Sequence, residues 1–238
     1  MTFATFKDTP GRQPATVLEL DLDYCANSYG ISPCTATLAL INLALQSEDL
    51  STSWPATELT VTTNVTGSTP IGSNIADRLI PSVVSSANHR LAQSIGTFNE
   101  QHTISLFAFA EGYSVLDLQL FNGTDSVYAK VRFELADAIS GVIISTGLVR
   151  HSMQQVVGFP GWFRCDVTGL PPTLGLSNQM MIYVKQAGID TADTFSGDGT
   201  SGIIAVGAQC RAGGALRGRA GRREVADHLD RGSGDDLG

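Results

Sequence analysis

Apolar and polar positions alternate with a period of two along most of this chain, the pattern of strands with one face buried. Between residues 39 and 211, short runs of this kind recur at 58–65, 102–110, 114–121, 127–133, 141–146, 162–168, 180–185 and 202–210. Gly, Asn, Asp, Ser and Pro separate them, and this punctuation is too frequent for long helices. One stretch, 85–95, has a helical character and is short. Many short strands with turn-rich joints predict an all-β fold, an antiparallel β-sandwich of the jelly-roll kind.

The pattern divides the chain into three parts. Residues 1–38 hold one alternation, with Leu18, Leu20 and Leu22 on one face and Glu19, Asp21 and Asp23 on the other, and it ends near the turn signal Ser32-Pro33. Residues 39–211 carry the sandwich. Residues 212–238 are rich in Gly, Arg and Asp and poor in large apolar side chains. Such a composition buries too little surface to offset the entropy of ordering, so a disordered tail is expected there.

One hairpin can be read in register. Leu116, Leu118 and Leu120 alternate with Asp117 and Gln119, and Val127, Ala129, Val131 and Phe133 alternate with Tyr128, Lys130 and Arg132. Across the loop 122–125, Leu120 is expected to meet Val127, Leu118 to meet Ala129 and Leu116 to meet Val131 on the core face. Asp117 would then oppose Lys130, and Gln119 would oppose Tyr128, on the other face. A slip of one residue would pair core with solvent.

Composition narrows the function. Hydrophobic residues are 42% of the chain and charged residues 16%, enough apolar material for a real core. The net charge of -8 and pI of about 4.8 disfavour binding to phosphate backbones, so no nucleic-acid partner is expected. No apolar run reaches the length of a membrane span, and no secretory signal is read at the start, so folding in a reducing cytoplasm is expected. Cys25, Cys34, Cys165 and Cys210 match no zinc spacing and read as small, partly buried thiols; a bridge between Cys25 and Cys34 stays open.

Catalytic chemistry finds little support. His89, His102, His151 and His228 lie in no HExxH motif and beside no activated Ser or Cys. Glu19, Asp21 and Asp23 read as a solvated strand face. Asp198, with Asp190 and Asp193, offers oxygen ligands but too few charges for a tight calcium site. No cofactor and no metal are expected, and the reading is non-enzymatic. Sugar recognition needs a flat amphipathic ring with planar polar groups beside it. Tyr128 with Asp117, Gln119, Lys130 and Arg132 fits that need, with Tyr113 near the edge. Trp162 reads as structural, and Trp54 as either structural or binding.

Three stretches resemble a carbohydrate-binding-like jelly-roll domain of tailed-phage proteins. They are 42–54 (NLALQSEDLSTSW), 161–165 (GWFRC) and 197–209 (GDGTSGIIAVGAQ), in the family's order. Residues 19–36 (ELDLDYCANSYGISPCTA) resemble an N-terminal segment of phage tail-associated proteins. This chain departs from the family at Ile204-Ala205-Val206, where relatives carry Tyr-Ile-Trp, and at Cys210-Arg211, where they carry Leu-Glu. The resemblance implies a virion protein in the tail, fibre or capsid decoration, attached through residues 1–38. It further implies other virion proteins and a host-surface glycan as partners, and many copies per particle, hence a homo-oligomer. The alternatives are an accessory carbohydrate-binding domain of a polysaccharide-degrading enzyme, and a depolymerase.

Overall fold

The computed structural model describes residues 17–19, 37–39 and 42–212, apart from 66, 97–99, 125, 174–176 and 188–193. The tail and most of the N-terminal segment, with Cys25, Cys34, Asp21, Asp23 and His228, lie outside the described residues, as do Asp190 and Asp193. In chain order the strands are β1 (Val17–Glu19), β2 (Thr37–Ala39), β3 (Ala56–Thr57), β4 (Leu59–Val65), β5 (Ser68–Thr69), β6 (Gly72–Ser73), β7 (Ala76–Pro81) and β8 (Arg90–Gly96). They continue with β9 (His102–Glu111), β10 (Val115–Asn122), β11 (Ser126–Glu134), β12 (Ile139–Ile144), β13 (Leu148–Gln155), β14 (Trp162–Gly169), β15 (Asn178–Lys185) and β16 (Gly202–Ala212).

Two six-stranded antiparallel sheets face each other. The first runs β12-β11-β10-β15-β8-β3 and the second β13-β14-β9-β16-β7-β4. Short pairs β1-β2 and β5-β6 complete the described strands. The expected sandwich is therefore the fold. Its core lies between the sheets, where Leu116, Leu118, Leu120, Ala129, Val131 and Phe133 of the first meet Ile104, Leu106, Val167, Ile203 and Ala205 of the second. Cys165 and Cys210 are free thiols in this core.

The stretch read as helical, 85–95, contains the start of β8, which pairs with β15 and β3. Leu91 and Ile95 are spaced like a helical stripe, but both face the core as alternate residues of a strand, with Gln93 between them. Gln93 is buried because its amide clamps the chain before it: its Oε1 accepts from Leu45 N at 2.7 Å, and its Nε2 donates to Leu45 O and Ser53 O at 3.1 and 3.0 Å. Strands β7 and β13 were not anticipated.

The hairpin of β10 and β11 keeps the expected core face but in another register. Leu120 pairs with Ala129, Leu118 with Val131 and Leu116 with Phe133, while Asp117 opposes Arg132 and Gln119 opposes Lys130. Two local features produce this. The loop is one residue tighter, so that Asn122 pairs with Ser126, and a bulge between Leu120 and Phe121 then adds one residue on β11. The first would flip every side chain to the wrong face, and the second flips them back. The bulged residue is Tyr128, which turns into the core and is fully buried. It does not share the outer face with Asp117 and Lys130.

Candidate functional site

The three familiar motifs are parts of the framework. Asn42 closes the chain on itself: its Nδ2 donates to Ala208 O at 3.2 Å, and its Oδ1 accepts from Cys210 N at 2.8 Å. Asp77 accepts from Leu50 N at 2.6 Å and Asn64 N at 3.1 Å. Trp54 is buried and donates to Leu45 O. In the loop before β16, Asp198 Oδ1 accepts from Thr200 N at 2.8 Å and Ser201 N at 2.7 Å. That carboxylate is therefore engaged as a turn cap. Among the described residues, no group of three or more His, Cys, Asp or Glu is placed to hold a metal ion, and no helix is long and apolar enough to cross a membrane.

Four of the six residues anticipated for sugar come together on the outer face of the first sheet. Arg132 grips Asp117 with two bonds, Nε to Oδ1 at 2.9 Å and Nη2 to Oδ2 at 3.1 Å, and Lys130 Nζ lies 3.6 Å from the same carboxylate. Gln119 Nε2 lies 3.1 Å from Met181 Sδ. The ring among them is Tyr183 of β15, opposite Asp117. Lys130 Nζ, Lys185 Nζ and the Arg90 guanidinium stand 4.6, 5.1 and 6.0 Å from its centroid, within cation–π range. This face is buried: Asp117 is 0% exposed, Lys130 and Lys185 2%, Tyr183 4% and Arg132 9%.

Tyr113 lies elsewhere, in the connection between β9 and β10. Its ring centroid is 5.6 Å from that of Phe195, and its hydroxyl accepts from Asp198 N at 3.2 Å. His89 is buried with its two ring nitrogens against the carbonyls of Glu58 and Phe195.

A second surface was not anticipated. On the outer face of the second sheet, β9 presents Phe107 and Phe109, both partly exposed. Trp162 and Ile204 flank Phe109, and Arg164 and Val206 flank Phe107. The Phe109 and Trp162 centroids are 5.7 Å apart with planes at 38°. Arg164 is exposed, and its guanidinium lies 6.0 Å from the Phe107 ring. At the far end of the row Arg78 forks onto Glu111 through Nε and Nη2. The result is a small apolar cluster in which Trp162 and Val206 are buried, at 7% and 1% exposure, and Phe107, Phe109 and Ile204 are partly exposed, with a planar cation at one end and an ion pair at the other. The signal existed in residues 104–110 (ISLFAFA), which are apolar on both strand faces. A strand packed on one side alone needs no Phe on the other.

No family model and no curated protein matches the chain. Solved structures align with the chain at low identity. The enzymatically active domain of tailspike protein 4 from bacteriophage CBA120 aligns with TM-score 0.40 and 11% identity, over 72% of this chain and 21% of that one. This chain thus spans about a fifth of that tailspike chain. TmCBM61, solved with β-1,4-galactotriose, aligns with TM-score 0.40 and 10% identity over 73% of this chain and 99% of its own. The CBM22-1 xylan-binding domain of Paenibacillus barcinonensis Xyn10C gives 0.38 and 14%, over 74% and 97%.

Proposed function

We propose that this chain is a non-catalytic, sugar-binding-type sandwich domain of a tailed-phage particle, and that it meets glycan on the outer face of the second sheet. The observation that carries the reading is the partly exposed pair Phe107 and Phe109, backed by the buried Trp162 and rimmed by Arg164 and the Arg78–Glu111 pair. Aromatic rings give stacking area to the apolar faces of sugars, and planar charged groups fix orientation through hydroxyls. A shallow strip of this kind binds weakly, so many copies per particle would supply the avidity. A second reading keeps sugar on the first sheet, at Asp117, Gln119, Lys130 and Arg132. Tyr183, ringed by three cations, favours it, and burial of that face counts against it.

The test is a glycan array probed with multivalently displayed wild-type, Phe107→Ala, Arg164→Ala and Gln119→Ala proteins. Loss of binding in the first two variants alone supports the strip. Loss in Gln119→Ala alone moves the site to the first sheet, and no binding by wild type leaves a purely structural role. Mass spectrometry of purified particles separates a virion component from its rival, an accessory module of a polysaccharide-degrading enzyme. Release of reducing ends from polysaccharide, abolished by one Asp or Glu substitution, would overturn the non-catalytic reading.

A further inference from the structure

The outer face of the second sheet carries the opposite charge to the chain as a whole. Strand pairing sets Arg164 beside Phe107, Asp166 one row further along, and Arg150 and Arg211 in the row beyond. Among the described residues, the strands of this face present four guanidiniums, those of Arg78, Arg150, Arg164 and Arg211, against the two carboxylates of Glu111 and Asp166. Both carboxylates are engaged. Arg78 forks onto Glu111, while Asp166 accepts from Ser152 Oγ and lies 3.8 Å from Arg150 Nη1.

Arg164 and Arg211 are the surplus. Arg164 is exposed beside the Phe107 ring, and no described carboxylate lies within ion-pair distance of it. Arg211 is half-buried, and its Nε is buried with no hydrogen-bond partner among the described residues. A buried donor left unpaired is costly, so such a group marks a place where an acceptor is wanted. Charges gathered on one face set the field within a Debye length, about 8 Å at physiological salt, whatever the net charge of the molecule. A chain of net charge -8 thus holds two uncompensated cations on the face that carries Phe107 and Phe109.

We infer that the glycan met by this face is acidic, a polysaccharide bearing sugar carboxylates. A guanidinium takes a carboxylate through two parallel hydrogen bonds. Arg164 binds a carboxylate of the unit that stacks on Phe107. Arg211 stands two strands across and four residues along, roughly 16 Å away by strand spacing and rise. That is too far for one carboxylate, and it suits charge repeated along a chain. The inference rests on glycan binding at Phe107 and Phe109.

The experiment compares surfaces coated with polyuronate or polysialic acid, each against its own methyl ester, so that the two members of a pair differ in charge alone. A polyphosphate surface is the third probe. Multivalently displayed wild type is expected to bind the acids at least about 10-fold more tightly than the esters. Arg164→Gln and Arg211→Gln should each erode that preference, with thermal midpoints near wild type showing that both fold. Equal binding to acid and ester, lost in Phe107→Ala, overturns the inference and leaves a neutral-sugar site in place. A preference untouched by both substitutions, or polyphosphate bound as tightly as the acids, overturns it as well. No binding to any surface overturns it together with the glycan reading.

Discussion

Tyr128 is fully buried, and its hydroxyl has no hydrogen-bond partner among the described residues. Its ring lies where two glycines make room: a Cβ on Gly169 would stand 2.9 Å from Tyr128 Cε2, and one on Gly147 2.9 Å from Cδ2. Tyr128→Phe removes a polar group that was desolvated without compensation, so it should be neutral or stabilise by about 1 kcal/mol. Tyr128→Ala should cost about 3–5 kcal/mol through lost burial and a cavity. Chemical denaturation of the two variants checks both. Burial likewise pushes the Cys210 thiol up to about 12 and raises that of Cys165 further. Both should therefore resist alkylation in the native protein and react once it is unfolded, which mass spectrometry of labelled peptides reads directly. Asp198 goes the other way: bonds from the Ser201 side chain and the Thr200 and Ser201 amides hold it down to about 2. A depressed carboxylate supports the fold above its unfolded value of 3.8 and loses that support as pH falls through about 2. Hydrogen exchange at Thr200 and Ser201 should accelerate over this window, and Asp198→Asn should flatten the response.

At the scale of elements, the β10–β11 hairpin joins a dry face to a charged one. Leu118 is fully buried in the core, and Leu118→Ala should cost about 2–5 kcal/mol. Asp117 is equally buried on the opposite face, where Arg132 and Lys130 share its carboxylate. Asp117→Ala withdraws the anion both cations use and should cost about 3–5 kcal/mol, which equilibrium unfolding in urea would measure. The alternation of Leu116, Leu118 and Leu120 was enough to place this hairpin's core face. It could not place the register, because a period of two is blind to a shift of two, and the tight loop and the Tyr128 bulge together make that shift. β8 was misread because its core-facing positions are Leu91, Gln93 and Ile95, so a buried amide broke the alternation and left a helical spacing. β7 hid for a related reason: Asp77 is 1% exposed, a polar residue buried to hold two backbone amides. The outer strip escaped because Phe107 and Phe109 add apolar residues to a strand whose inner face is already apolar, and sequence alone does not say which face is open.

For the whole molecule, the order in which the sheets are assembled matters most. β16 is the last strand among the described residues, yet it lies inside the second sheet, between β9 and β7. Its residues Ile203, Ala205, Ala208 and Cys210 are buried in the core, and the bulge near Gly207, at φ 68, keeps both halves of the strand facing inward. Its far end also receives the start of the domain, where Leu43 N donates to Cys210 O at 2.8 Å and Asn42 binds across 168 positions. Without β16, β7 and β4 lose their attachment to the rest of their sheet, and the row of core residues beneath the strand meets water. Contacts this distant in sequence also make closure entropically expensive, so the sheet gains little stability before its final strand arrives. A chain ending at Ser201 should therefore lack a cooperative thermal transition and bind a hydrophobic dye. By contrast, deletion of the small β5-β6 hairpin, which belongs to neither large sheet, should leave the transition in place. A synthetic peptide of residues 202–212 added in trans should restore the transition, since main-chain pairing with β9 and β7 can be supplied by a separate strand. Differential scanning calorimetry of the shortened chain with and without the peptide decides the matter. A cooperative transition in the shortened chain alone would show that the sheet closes without its central strand.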